Sequence, residues 1–298
     1  MVSSQGRAQI PDKVLMYASL FSYEPQERVR MSQYEVNYNM IGQFEGSRAL
    51  PPNSVQTIRQ FEDLDEQGQR TQILDNNQTC ETLLRVLFAI VEKVNSDEGL
   101  LRYALTLING IVEDRRTRIK RMVLIQKAKN QERHMDLIGI LLSFITKFNG
   151  KMRQECDMAS HTLAMLIEAV EYKNCEAKAK AFLSHLIDMK DATNGMSREA
   201  FTHCLMFLLK TNELAKKFVD SQGMIIYQKM LLNECIQNGQ IAYNVCCGLW
   251  ILTALDAAME HFTDFKLSII EHVSKILDYF NKEKIVRIIC MMFDVSLN

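Results

Sequence analysis

Six histidines, eight cysteines and a few acidic pairs are the groups in this 298-residue chain that could bind a metal, attack a carbonyl or move a proton. Their spacing does not gather them. His134, His161, His185, His203, His261 and His272 stand far apart, and the chain has no HExxH, GxSxG, GxGxxG or GxxxxGK[ST] string. His203 and Cys204 are neighbours, but successive residues on a helix point about 100° apart, so they form no catalytic pair. Cys80, Cys156, Cys175, Cys204, Cys235, Cys246, Cys247 and Cys290 show no CxxC or finger spacing. They fall in apolar helical patterns and read as small, reduced, buried residues, which implies a cytosolic setting. The acidic pairs Glu113-Asp114 and Asp63-Asp65 have no partner that spacing can place, so solvated acids are expected there. No catalytic, cofactor-binding or metal-ligating residue is assigned, and the chain reads as a non-enzyme.

The strongest charge feature is basic. Arg115, Arg116, Arg118, Lys120, Arg121, Lys127, Lys129 and Arg133 face a single acid, Glu132. One reading is a solvated helix face whose long side chains cover apolar surface. The other is a docking patch for an acidic protein surface, with Arg115, Arg116, Arg118, Lys120 and Arg121 as the candidate protein-binding residues. Nucleic acid fits poorly: no aromatic residues interleave with the charges to stack bases, and the chain as a whole carries a formal charge of −1.

These residues must ride on helices. Apolar residues make up 47% of the chain, enough for a sizeable core. There are only four prolines, the last at Pro52, and twelve glycines. An all-β fold would need many more turn residues. The longest apolar run, Val245 to Leu255, is about half of what a membrane helix requires, and no secretory signal is recognisable, so no membrane insertion is expected. Residues 1–30 read as a flexible arm with a short helical piece near 13–21, and residues 31–298 as the helical body. Helices are expected over 28–45 and Val55 to Asp63, with a loop over Glu62 to Arg70. Leu84, Leu87, Val91 and Val94 form an apolar stripe at helical spacing, as do Ile269, Ile270, Val273, Ile276, Leu277 and Phe280. Ser96 is the expected cap of the helix that follows the first stripe. Twelve to fourteen helices are expected in all. Trp250 and Met291-Met292 read as core, while Tyr34, Tyr38 and Phe44 could face the first repeat or a partner.

The helices recur. Apolar, small-residue-rich centres at Leu107, Ala164, Met206, Trp250 and Met291 are 57, 42, 44 and 41 residues apart. A period of 40–47 residues belongs to armadillo and HEAT repeats, in which no unit hides its apolar face alone. The excess in the first step falls on the basic segment 115–133. The clearest unit is Ser221 to Leu255: a glycine-led helix, an Asn238-Gly239 turn, and a long helix with Ala242, Cys246, Cys247 and Gly248. The expected fold class is therefore all-α, a right-handed alpha solenoid of armadillo/HEAT-like repeats with an open groove.

Several strings resemble one family. Val36-Asn37-Tyr38, then Ile58-Arg59-Gln60-Phe61-Glu62, residues 81–113, the helix around Trp250, and Asn281 to Ile289 resemble, in order and spacing, the N-terminal armadillo-like domain of the H subunits of vacuolar-type proton ATPases (V-ATPases). The likeness spans roughly residues 35–298. It implies a non-catalytic regulatory and stator subunit without a cofactor. Such a subunit sits on the cytosolic face of acidifying organelles such as vacuoles and endosomes. It binds the peripheral stalk made of the E and G subunits and meets catalytic-sector subunits and the a-subunit of the membrane sector. It helps couple ATP hydrolysis to proton transport. The family continues into a smaller helical domain, associated with silencing ATP hydrolysis, which is expected to be absent from this chain. The alternative is an unrelated armadillo-repeat adaptor.

Overall fold

The computed structural model describes residues 36–94, 96–114, 116–128, 134–189, 195–264 and 268–296. The arm expected over residues 1–30 lies outside them. The described residues form sixteen α-helices and no strand. In chain order these are α1 (Tyr38–Gly46), α2 (Ser54–Glu62), α3 (Glu66–Gly68), α4 (Asn77–Lys93), α5 (Glu98–Asp114), α6 (Ile119–Lys127), α7 (Leu137–Phe148) and α8 (Arg153–Ala169). They continue with α9 (Glu176–Asp188), α10 (Arg198–Leu208), α11 (Asn212–Asp220), α12 (Gly223–Asn233), α13 (Gly239–Leu252), α14 (Asp256–Thr263), α15 (Ile269–Tyr279) and α16 (Glu283–Ser296). The chain divides into two compact units, with the boundary between Glu171 and Tyr172.

Short polar caps start the helices. The side chains of Asn37, Asn76, Asp136, Ser197 and Asn238 each accept a backbone N–H from the first turn of α1, α4, α7, α10 and α13. Each cap satisfies donors that the helix leaves unpaired. For α5 the cap is Asp97, which accepts Leu100 N at 2.9 Å, in place of the expected Ser96. The carboxylate also places negative charge at the helix N-terminus, where the dipole favours it.

In the N-terminal unit α4 packs on α5 and α7, and α5 on α8. In the C-terminal unit α10 packs on α13 and α13 on α16, while α11 meets α14 and α12 meets α15. Apart from α4 on α5, each of these contacts joins helices three places apart, the pattern of stacked three-helix repeats. The all-α repeat architecture expected from the 40–47-residue period is present, and all five apolar centres fall on the helices of these seams: α5, α8, α10, α13 and α16.

Repeats with this period need close approaches. A Cβ on Gly248 of α13 would lie 2.2 Å from the Tyr227 hydroxyl of α12, so only glycine lets the two helices meet there. Gln222 ends the preceding turn in the left-handed region, φ 62°, and a Cβ on Gly223 would strike the Phe218 ring at 2.5 Å. From Ile241 to Leu255 every residue is buried, so α13 is enclosed all round and presents no open groove wall. Trp250 and Met292 are core, as expected, while Met291, read with them, is only half-buried.

The stretch Glu62 to Arg70, expected as a loop, is largely helical: α3 runs into a π-helix, Gln69–Leu74. Asp65 caps it by accepting Gly68 N at 2.7 Å. What closes its other end is the basic segment.

Candidate protein-interaction surface

The described part of the basic segment, residues 116–128, folds as a single 3₁₀ turn (Arg116–Arg118) leading into α6. It does not present its charges on one face. Arg118 is 2% exposed and donates to Asp75 Oδ1 at 3.1 Å. Arg121 donates to Leu74 O, and to Asp75 O at 3.1 Å. Arg121 thus occupies carbonyls at the end of the π-helix, which its own backbone leaves without partners, while Arg118 holds the side chain of Asp75, the residue that ends it. Lys120 is exposed. Arg115, and the side chain of Arg116, lie outside the described residues. The structure therefore separates the three candidates whose side chains are described: Arg118 and Arg121 bind within the unit, and Lys120 faces solvent. With Lys120 go Leu124, 67% exposed, and Lys127, which pairs with Glu171 at 3.6 Å. Reading the sequence for charge passes over Leu124. Its signal is an apolar residue midway between two lysines at spacings of four and three.

For most of the thiols and several of the histidines the contacts are those of a packed interior. His203 meets the Phe207 ring edge-on at 4.9 Å. Burial lowers the pKa of His185, against the opposing charge of Asp188. Burial pushes the thiols of Cys156, Cys246 and Cys247 up to about 12, and Cys235 higher still. Such thiols stay protonated and are poor nucleophiles. Cys290 departs from the expectation: it is exposed. No group of three or more His, Cys, Asp and Glu among the described residues could hold a metal ion.

Glu113 is not the solvated acid expected from the sequence. His161 Nδ1, on α8, lies 3.5 Å from Glu113 Oε1 and 3.1 Å from Asn109 Oδ1, both on α5. Burial alone would raise the Glu113 pKa. Hydrogen bonding and charge from His161, with the Asn109 amide, outweigh it and hold the carboxyl below its usual range. Six residues before His161, Glu155 is buried and paired with Arg102. At the start of α5 the Tyr103 hydroxyl donates to Glu62 at 2.7 Å. Tyr38 stacks under Arg59, whose guanidinium lies 4.8 Å from the ring centroid. These groups bind helix to helix, which leaves outward surfaces as the part of the molecule able to meet partners.

The profile of one family, the H subunits of V-ATPases, matches residues 25–297. The chain belongs to the V-ATPase H-subunit family. It is 21% identical over 293 residues to the probable second V-type proton ATPase H subunit of Caenorhabditis elegans, covering 96% of this chain and 58% of that protein. It is 23% identical over 219 residues to the V-type proton ATPase H subunit of Drosophila melanogaster, covering 72% of this chain and 44% of that one. The chain thus spans about half the length of these relatives. Two engineered proteins share the fold. One has a TM-score of 0.58 at 11% identity, covering 88% of this chain and 99% of its own; the other has 0.55 at 13%, covering 83% and 97%. The V-ATPase H-subunit resemblance carried by residues 35–298 is therefore correct at the level of family and fold.

Proposed function

We propose that this V-ATPase H-subunit relative is a non-catalytic regulatory and stator subunit of the vacuolar-type proton pump. In this reading residues 31–298 act as one interaction domain. They bind the peripheral stalk made of the E and G subunits, and meet catalytic-sector subunits and the a-subunit of the membrane sector. They help couple ATP hydrolysis to proton transport on the cytosolic face of an acidifying organelle. The observation that carries the reading is the family match over residues 25–297. Two others support it. No helix among the described residues is long and apolar enough to cross a membrane. Stacked helical repeats present the extended surfaces by which such proteins meet partners, as an interaction domain requires.

The basic candidates enter this proposal in a narrower form. Reversing all five of Arg115, Arg116, Arg118, Lys120 and Arg121 would also break the Arg118–Asp75 pair and uncap the π-helix, so lost binding would be ambiguous. The outward set Lys120, Leu124 and Lys127 separates binding from folding. Titrating the chain with a heterodimer of the E and G subunits should give saturable binding. The K120E/L124D/K127E variant should bind at least tenfold more weakly at low salt while its thermal melt is unchanged. No binding by the parent chain would remove the stalk assignment, and equal binding by the variant would remove the patch.

A further inference from the structure

Six large apolar side chains stand out as exposed among the described residues, and five belong to two helices packed on each other: Ile225 and Leu232 on α12, with Ile270, Leu277 and Tyr279 on α15. Ile225 and Leu232 are seven residues apart, so they share one outer face of α12, about 10 Å along its axis. At the Ile225 end this face opens into a cleft of about 510 Å³ between α11, α12 and α14. Val219, Met224, Ile225 and Ala257 give the cleft an apolar lining, and Asp220, Glu260 and Asp264 line it with carboxylates. His261 is the cleft's one titratable base. Lys229 sits between the two apolar residues on α12 and is exposed. The surface is thus polarised: acidic over an apolar floor at one end, apolar with a single cation along the helix.

A protein rarely leaves clustered aliphatic side chains in water without use. The spacing suits a partner helix with apolar residues at i, i+3, i+4 and i+7, and the three carboxylates suit cations at one of its ends. We propose that this surface docks a basic amphipathic helix of a partner protein, its cationic residues over the Asp220–Glu260–Asp264 cleft and its apolar stripe along Ile225 and Leu232. An acidic helix would meet repulsion at the cleft. A second copy of this chain would bring the same carboxylates against each other wherever the two clefts met. The site is distinct from the outward face of α6 and does not depend on membership of the pump.

The test uses the full chain and two fluorescein-labelled 18-residue helical peptides with one leucine stripe, the remaining positions lysine in one and glutamate in the other. In fluorescence anisotropy at low salt the Leu/Lys peptide should bind saturably and weaken as salt rises, and the Leu/Glu peptide should bind at least tenfold more weakly. I225E/L232E should lose at least tenfold affinity for Leu/Lys, as should D220K/E260K, while K120E/L124D/K127E keeps it. A benzophenone on the leucine stripe should crosslink within residues 219–232, which holds even if one variant folds poorly. Equal affinity for the two peptides, full affinity in either site variant, or crosslinks confined elsewhere would overturn the proposal. So would a parent dimer in sedimentation that I225E/L232E dissolves, since that would make the occupant a second copy.

Discussion

In the N-terminal unit, α5 and α8 meet through charged groups: Arg102 pairs with the buried Glu155, and His161 sits against Asn109 and Glu113. In the C-terminal unit the seam of α10 and α13 carries a neutral pair. Asn244 Nδ2 donates to Thr202 Oγ1 at 3.1 Å, and Gln240 donates to Asn244 Oδ1 at 3.0 Å. The helix that makes this neutral seam, α13, is also the one whose Gly248 makes room for Tyr227 of α12. The same repeat can therefore be held by two means. Charged pairs tolerate a looser fit but depend on both partners and on protonation state. Close packing is indifferent to pH but intolerant of added volume.

The largest effect should come from spoiling the close-packed unit. Gly248→Val places its Cβ against the Tyr227 hydroxyl, and Tyr227 is fully buried. A loss of about 3 kcal/mol in urea unfolding is expected, the upper end of overpacking costs. The Tyr227 hydroxyl has no hydrogen-bond partner among the described residues. Tyr227→Phe alone should therefore be neutral or stabilise by up to about 1 kcal/mol, since it removes a buried unsatisfied group. Combined with Gly248→Ala it should cost clearly less than Gly248→Ala alone. A Gly248→Val chain as stable as the parent would show that α12 and α13 can move apart, and the contrast between the units would fail.

The charged unit should break differently. Asp75→Ala leaves the enclosed Arg118 guanidinium without its carboxylate. Removal of one partner from a fully buried pair costs about 3–5 kcal/mol, but Asp75 itself is 36% exposed, so about 2 kcal/mol is the expected loss. Replacing both, as D75A/R118M, should recover most of it, because a matched apolar substitute avoids the cost of burying charge. Hydrogen exchange should place the weakening in α6 and the π-helix and leave α13 protected. Protection lost equally in both units would contradict their separate behaviour.

How much of this is legible in the sequence follows the same division. The close-packed seam is readable because its signal is local and periodic: Gly223, Asn238-Gly239 and Gly248 fall at fixed offsets, and the apolar centres repeat every 41–44 residues over the last three steps. The charged seam is not. Glu113 and His161 are 48 residues apart, and nothing near either marks the other. Arg118 and Arg121 look like surface charge because composition cannot say which side of a short helix faces a neighbouring carbonyl. The stretch from Glu66 to Leu74 looks like a loop for the same reason: its helical end is closed by arginines more than forty residues away. Local spelling misplaces the α5 cap by one residue, where Ser96 and Asp97 are both good cap formers. The outward apolar set on α12 is hidden inside a glycine-led helix that is apolar along most of its length. Only the fold shows that Ile225 and Leu232 lie opposite its buried side.

The smallest expected effect discriminates most finely between the two seams, because it depends on proton concentration. Glu113 is held ionised in the folded chain by His161 and Asn109, so its folded pKa lies below its unfolded one. A group depressed in this way contributes stability that is complete above the unfolded carboxylate pKa of about 4.3 and is lost as pH falls through the folded value. Glu113→Gln removes that contribution. The parent should exceed the variant by up to about 1 kcal/mol at neutral pH, the scale of one partly buried charge-assisted hydrogen bond. The gap should close as pH falls below about 4.3, where the parent also loses its carboxylate charge. A control on the neutral seam, Asn244→Ala, should show a cost that does not vary over the same pH range, since neither Asn244 nor Thr202 titrates. If the Glu113→Gln gap stayed constant from pH 7 to pH 3, the α5–α8 seam would owe nothing to ionisation at that position, and the two seams would differ in packing alone.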